Sequence, residues 1–137
     1  MLYCDIILCA DDSYISMPEI DVGMAGGMRL MTEHFGRSYA RYVYFTGRKI
    51  PTTELEKRGV ITACMPADQL MDSAMEIARE IAAKSPTAVK WIKRGFNVAE
   101  ELPFRDAYRY EQSITHDLSH TRETKELQAS FGNKKES

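Results

Sequence analysis

The chain has 137 residues, a length suited to one domain, and its 44% hydrophobic content is enough to build a real core. Its 18 basic and 20 acidic side chains nearly cancel and neither sign forms a long block, which argues against nucleic acid or a charged membrane surface as partner. The opening residues lack a basic n-region and meet Asp5, Asp11 and Asp12 early, and no apolar run reaches membrane-spanning length, so neither a signal peptide nor a transmembrane segment is expected. Cys4, Cys9 and Cys64 are an odd set without a close Cys-x-x-Cys pair, which fits reduced thiols and a cytoplasmic location.

In chain order, Asp5 to Leu8 and Tyr14 to Ser16 carry the β-branched and aromatic content of two short strands, with the turn-prone Asp11-Asp12-Ser13 between them. An apolar strand that begins almost at residue 1, with nothing to flank it, suggests that sequence is missing before it. Met17 to Gly27 holds Pro18, Gly23, Gly26 and Gly27 and predicts an irregular bend. Helices follow from about Gly27 to Phe35 and from Ser38 to about Thr46, closed by Gly36 and Gly47. Thr53 and Glu56 have the spacing of a capping box for a short helix ending at Gly59, and Val60 to Met65 reads as a further strand.

From Pro66 onward the pattern is helical throughout. Leu70, Ala74, Ile77, Ala78 and Ile81 form one apolar stripe. Ser85 is the expected N-cap of the next helix, with Pro86 in its first position and Val89, Ile92, Phe96 and Ala99 on its buried face. Pro103 starts a third helix, striped by Ala107, Tyr110, Ile114 and Leu118, and Thr121 a fourth that turns Leu127 inward. The two regions expected are therefore 1–65, mixed α/β, and 66–137, helical.

The run from Cys4 to Gly27, with its Cys-Asp-Ile strand, second strand, Pro18-Glu19-Ile20 and glycine-rich bend, resembles the enoyl-CoA hydratase/isomerase (crotonase) family. The likeness continues in the same order through Phe45-Thr46-Gly47-Arg48, Glu54 to Val60, Met65-Pro66-Ala67-Asp68 and Ile81 to Pro86. It implies an α/β fold, with 1–65 supplying the last turn of a spiral of strand–strand–helix units and 66–137 the C-terminal helices used for assembly and for covering coenzyme A. The implied activity is proton-transfer chemistry on an acyl-CoA thioester: enoyl-CoA hydration or dehydration, or alternatively double-bond isomerisation. Pro-Glu-Ile-Asp-Val-Gly with a shortened glycine bend leans toward carnitinyl-CoA dehydratase-like members. A rival reading from a different class is a non-catalytic helical assembly module.

Taken without the family pattern, Glu19 is a solvated loop glutamate. With it, Glu19 corresponds to one of two acids that move protons at the acyl α and β carbons, which is general acid–base work. Met17, Ile20, Gly23 and Met24 are then the expected substrate contacts beside it. Phe131 and Lys134 match the family's terminal aromatic and basic cluster near the adenine and phosphates of coenzyme A, though a solvated tail reads equally well there. The family's other glutamate and its oxyanion-binding glycine turn fall before the position of Met1, so these residues by themselves are expected to be nearly inert. A fragment, a truncated product or one part of a larger polypeptide would explain that.

Other patterns weigh less. Gly23, Gly26 and Gly27 match neither phosphate-loop nor dinucleotide spacing, so a structural bend is the better reading. The aspartate that dienoyl-CoA isomerase relatives carry in this bend aligns with Gly27, and Asp21 is on the wrong side to replace it. His116 and His120 share a helix face, but the only other histidine, His34, is far along the chain; exposed helix histidines are expected and no metal. Tyr39, Tyr42, Tyr44 and Phe45 read as core or subunit interface. No cofactor is implied beyond the coenzyme A of the substrate, and the partners implied are an acyl-CoA and further copies of the chain, as a trimer or hexamer.

Overall fold

The structure, a computed structural model, describes the backbone of residues 1–133 and the side chains of 1–130. The chain divides into two compact units, the first Met1–Glu76 and the second beginning at Ile77.

In the first unit, β1 (Leu8–Ala10) runs parallel to β4 (Ala63–Met65), with Leu8, Cys9 and Ala10 opposite Ala63, Cys64 and Met65. The strand expected at Asp5 to Leu8 thus lies later, and the one expected at Val60 to Met65 is shorter. Partner availability decides both, because the ladder is closed off by Thr62 N–H donating to Ile7 C=O at one end and Asp11 N–H donating to Met65 C=O at the other. β2 (Tyr14–Ile15) pairs antiparallel with β3 (Ile50–Pro51). The fold is α/β, as the residue pattern and the resemblance imply.

Between the strand pairs come a 3-10 turn (Pro18–Val22), α1 (Met28–Phe35), α2 (Arg37–Thr46) and α3 (Thr52–Lys57). Met31 and Phe35 of α1 and Ala40, Val43 and Tyr44 of α2 recur at three and four residues, so one face of each helix enters the core with Ile7, Cys9, Ile50, Leu55, Val60 and Ile61. Burying side chains such as Val43 and Leu55 completely contributes about 1.5–3 kcal/mol each. Phe45 points away from that core and is exposed, so only Tyr44 of the adjoining pair serves as a core aromatic.

The capping box expected of Thr53 and Glu56 does not form. α3 begins two residues earlier, with Pro51 rather than Thr53 at its N-cap, and no side chain caps it. Thr52 is buried and spends its hydroxyl elsewhere, donating to Ala10 C=O at 2.7 Å with Ser13 C=O 3.1 Å away, while its N–H also donates to Ser13 C=O. Glu56 turns toward β4 and accepts from the N–H and thiol of Cys64 at 3.2 and 3.1 Å. Both side chains satisfy tertiary partners that a local rule does not see. The helix closes as expected at Gly59, with Val60 N–H donating to Leu55 C=O and Gly59 N–H to Glu56 C=O.

α4 (Leu70–Ala82) joins the first unit to the second; Leu70, Ala74 and Ile77 of its stripe are half-buried, whereas Ala78 and Ile81 are exposed. The second unit holds α5 (Pro86–Ala99), α6 (Phe104–Ser119) and α7 (Arg122–Asn133). Ser85 caps α5 as expected, accepting from Ala88 N–H at 3.0 Å. The buried face of α5 differs from expectation. Gly95 is its buried residue and sits against α6, where an added Cβ would lie 3.0 Å from Ile114 Cδ1. Close approach at a glycine therefore selects the face carrying Trp91, Gly95 and Val98, and leaves Ile92 51% and Phe96 64% exposed. In α6, Ala107 and Ile114 are buried with Tyr110 and Leu118 partly so, matching the expected stripe. Leu127 of α7 faces outward rather than inward. Among the described residues no helix is long and apolar enough to cross a membrane.

Candidate active site

The segment singled out in the sequence is the 3-10 turn and the bend after it. Pro18 opens the turn with its fixed φ, and Gly23 closes it in the left-handed conformation, φ 70°, which a side chain would strain. The closure carries two backbone bonds: Met24 N–H donates to Glu19 C=O at 2.8 Å and Gly23 N–H to Ile20 C=O at 3.3 Å. Glu19 therefore lies on a short, rigidly closed turn rather than on a loose loop.

Its carboxylate is unusual. Glu19 Oε2 is buried and has no hydrogen-bond partner among the described residues. A buried polar atom left unpaired costs about 1–3 kcal/mol, so each one calls for an explanation; the Tyr110 hydroxyl of α6 is another such atom. Around the turn, Ile20, Val22, Met24 and Met28 present exposed apolar side chains, and Met17 is half-buried against the core. Met17 Cε lies 3.9 Å from where a Cβ on Gly27 would stand. Of the expected substrate contacts, Met17, Ile20, Gly23 and Met24 thus fall within five residues of Glu19 on one turn and bend. Phe131 lies on α7, its side chain, like all of Lys134, outside the described residues.

The turn is braced by α2. A Cβ on Gly47, the left-handed cap of that helix, would stand 3.2 Å from both Ile20 Cγ2 and Asp21 Oδ2, so only a glycine leaves the turn room to pack there. Asp21 is accordingly directed at the end of α2. One helical turn earlier, the Tyr44 hydroxyl meets the bend at Gly26, accepting from its N–H and donating to its C=O, both at 2.6 Å. The residue pattern marks Tyr44 only as core or interface. The signal for more is its phenol, since a tyrosine at a core position usually finds a partner for its hydroxyl.

A second polar cluster lies on the other side of α2. Tyr39 donates to Glu54 Oε1 at 2.7 Å, Arg58 bonds the same oxygen at 2.9 Å, and the Arg58 guanidinium carbon stands 3.7 Å from the Tyr39 ring centre. Burial, then the bond to the Glu54 carboxylate, raise the Tyr39 phenol to about 12, while the bonds from Tyr39 and Arg58 hold the Glu54 carboxyl below its usual range. The His116 and His120 rings lie tilted at 41° with their centres 4.4 Å apart, and His120 Nδ1 is 2.7 Å from His116 C=O. Among the described residues no group of three or more metal-ligating side chains comes together.

A parallel strand pair that returns through helices describes an α/β chain, and on its glycine-closed turn one carboxylate oxygen is buried without a partner among the described residues. The enoyl-CoA hydratase/isomerase family model matches residues 1–137, and the chain belongs to that family. It is 28% identical over 137 residues to a probable mitochondrial enoyl-CoA hydratase 2 of Arabidopsis thaliana, covering 98% of this chain and 46% of that protein. It is 29% identical over 115 residues to carnitinyl-CoA dehydratase of Escherichia coli, covering 82% and 44%. Among solved structures, an enoyl-CoA hydratase from Bacillus anthracis superposes with a TM-score of 0.89 at 25% identity, over 97% of this chain and 53% of that one. The chain thus spans about half the length of the relatives it matches.

The Tyr39 cluster yields a prediction of sign. Because the folded state holds the Tyr39 proton more tightly than the unfolded state, the stability this group adds is intact below pH 10.0 and is lost as pH rises toward about 12. The Glu54 contribution runs oppositely, present above the ordinary carboxylate range and lost as pH falls through its lowered folded value. In a rapid pH-jump titration of phenolate absorbance, one of the seven tyrosines should ionise near 12, and Tyr39→Phe should remove that step. Seven tyrosines ionising together near 10.0 would contradict the arrangement.

Proposed function

We propose that this chain is the C-terminal half of an acyl-CoA-acting enzyme that hydrates an enoyl-CoA or dehydrates the 3-hydroxyacyl-CoA, with Glu19 as one of its proton-transfer acids. The observation that carries the reading is Glu19 Oε2, buried and unpaired on a rigid turn in a chain of this family. A carboxylate oxygen with no partner among the described residues has its hydrogen-bonding capacity unspent, which suits exchange of a proton with a bound substrate, and the turn restricts where that exchange takes place. The exposed apolar side chains of Ile20, Val22 and Met24 suit the acyl chain and the pantetheine arm. Met17 and Gly23 shape the turn beneath them, and Phe131 with Lys134 are assigned to the nucleotide end of coenzyme A. No cofactor beyond the substrate's own coenzyme A enters this reading.

Thioester oxyanion stabilisation is usually the largest single catalytic term. The resemblance puts those donors in the half of the family's length that these residues do not span. The 137 residues alone should therefore show negligible hydratase activity on crotonyl-CoA in a direct assay; turnover like that of a complete enzyme would mean the site is misplaced. The outward apolar face of α5, with Ile92 and Phe96, and the exposed Phe104 are assigned to contacts between copies of the chain in a trimer or hexamer. Sedimentation should show oligomers, and a well-behaved monomer at micromolar concentration would count against that assignment.

The sharpest test is Glu19→Gln in the full-length enzyme carrying these residues. It keeps size and hydrogen-bonding reach but removes the titratable proton, so acyl-CoA binding should persist while kcat falls by roughly 10²–10⁴-fold. Undiminished turnover would end the reading of Glu19.

A further inference from the structure

Tyr44 makes both of its hydroxyl bonds to one residue, accepting from Gly26 N–H and donating to Gly26 C=O at 2.6 Å each. The N–H and C=O of a single residue point the same way where the backbone is extended, as in the hydrogen-bonded pairs of an antiparallel ladder. Tyr44 therefore occupies, at Gly26, the place a strand partner would take. Its ring is 7% exposed and packed in the core of the first unit, so the hydroxyl is delivered from a fixed support. At Gly26 itself an added Cβ would meet nothing within 4 Å, so steric packing there does not hold the bend.

The bend leads directly back to Glu19. Two residues before Gly26, Met24 N–H is bonded to Glu19 C=O, and beside it Gly23 N–H is bonded to Ile20 C=O. The chain from Glu19 to Gly26 is thus closed on itself at one end and tied to α2 at the other. Ile20 and Asp21 also rest against Gly47, one turn further along the same helix. Releasing Gly26 removes the tie between the bend and α2 that the Tyr44 hydroxyl makes, and leaves the contacts of Ile20 and Asp21 at Gly47.

We propose that Tyr44 is a positioning residue for the reaction: through Gly26 and the Met24–Glu19 backbone bond, its hydroxyl fixes where the Glu19 carboxylate meets the acyl-CoA. This rests on the reading of Glu19 as a proton-transfer acid. A misplacement of about 1 Å can cost on the order of 10²-fold in rate, so the clamp governs kcat rather than binding.

The test is Tyr44→Phe in the full-length enzyme, alone and combined with Glu19→Gln, with kcat and KM measured on crotonyl-CoA. The expected result is a fall in kcat of roughly tenfold or more with KM little changed, and no further fall when Tyr44→Phe is added to Glu19→Gln. A purely structural role would lower thermal stability and leave this split and this non-additivity absent. A smaller loss of kcat, or the full loss repeated on the Glu19→Gln background, overturns the proposal. If Glu19→Gln itself keeps full turnover, the reading of Glu19 fails instead, so the two failures are distinct. Should Tyr44→Phe not fold, Gly26→Pro carries the same kinetic expectation: it replaces the N–H donor by the ring's Cδ, which then faces the Tyr44 hydroxyl and breaks the clamp, while a Cβ at that position meets nothing within 4 Å.

Discussion

Parallel pairing of β1 with β4 is the constraint on which the first unit depends. Parallel strands cannot be joined by a tight hairpin, so the chain must leave the sheet after Ala10, build a crossover and return before Ala63. The turn that carries Glu19 and the elements that hold it are made in that crossover: β2, the 3-10 turn, α1, α2, β3 and α3. Its length would leave the turn free to wander were it not tied at several points. Ile15 pairs with Ile50 just before the turn, and Thr52 binds Ala10 and Ser13. Gly47 and Tyr44 of α2 hold the turn and the bend that follows. Local closure by Gly23 then fixes the carbonyl side of Glu19.

The consequence for chemistry is a separation of roles. Apolar residues of α1 and α2 supply the core that anchors the bend, while the residues that project from the turn, Ile20, Val22 and Met24, are exposed and available to a ligand. Glu19 lies between the two groups, with one carboxylate oxygen buried and unpaired. A fold that only needed a stable turn would place a solvated or hydrogen-bonded side chain there, since an unpaired buried oxygen lowers stability. Local cost borne at a functional position is a common sign of use.

Much of this was legible in the residues, because the relevant signals are local. Glycines at 36, 47 and 59 mark the closures of α1, α2 and α3, and Ser85-Pro86 marks a helix start. Stripes at three- and four-residue spacing identify α4 and α6, while the stretch read as an irregular bend holds a 3-10 turn closed by Gly23. The misreadings share one physical origin, which is competition from a distant partner. Thr53 and Glu56 have the spacing of a capping box, but Thr52 and Glu56 are drawn to β1 and β4. On α5 the larger apolar side chains suggest an inward face through Ile92 and Phe96, whereas Gly95 sets it because only there can α6 approach closely. Glu19 is singled out by its neighbours in the family pattern, whereas the unpaired state of Oε2 and the bond between Tyr44 and Gly26 are tertiary features that no local pattern encodes.

The central claim is that Glu19 moves a proton between solvent and a bound acyl chain. The most direct measurement is incorporation of deuterium from heavy water into the acyl group of the substrate, followed by mass spectrometry in the full-length enzyme and in Glu19→Gln, with acyl-CoA binding measured alongside. The account predicts that the parent incorporates deuterium and that the variant binds the acyl-CoA without incorporating it at a comparable rate. Equal incorporation by a variant that binds equally well would contradict it.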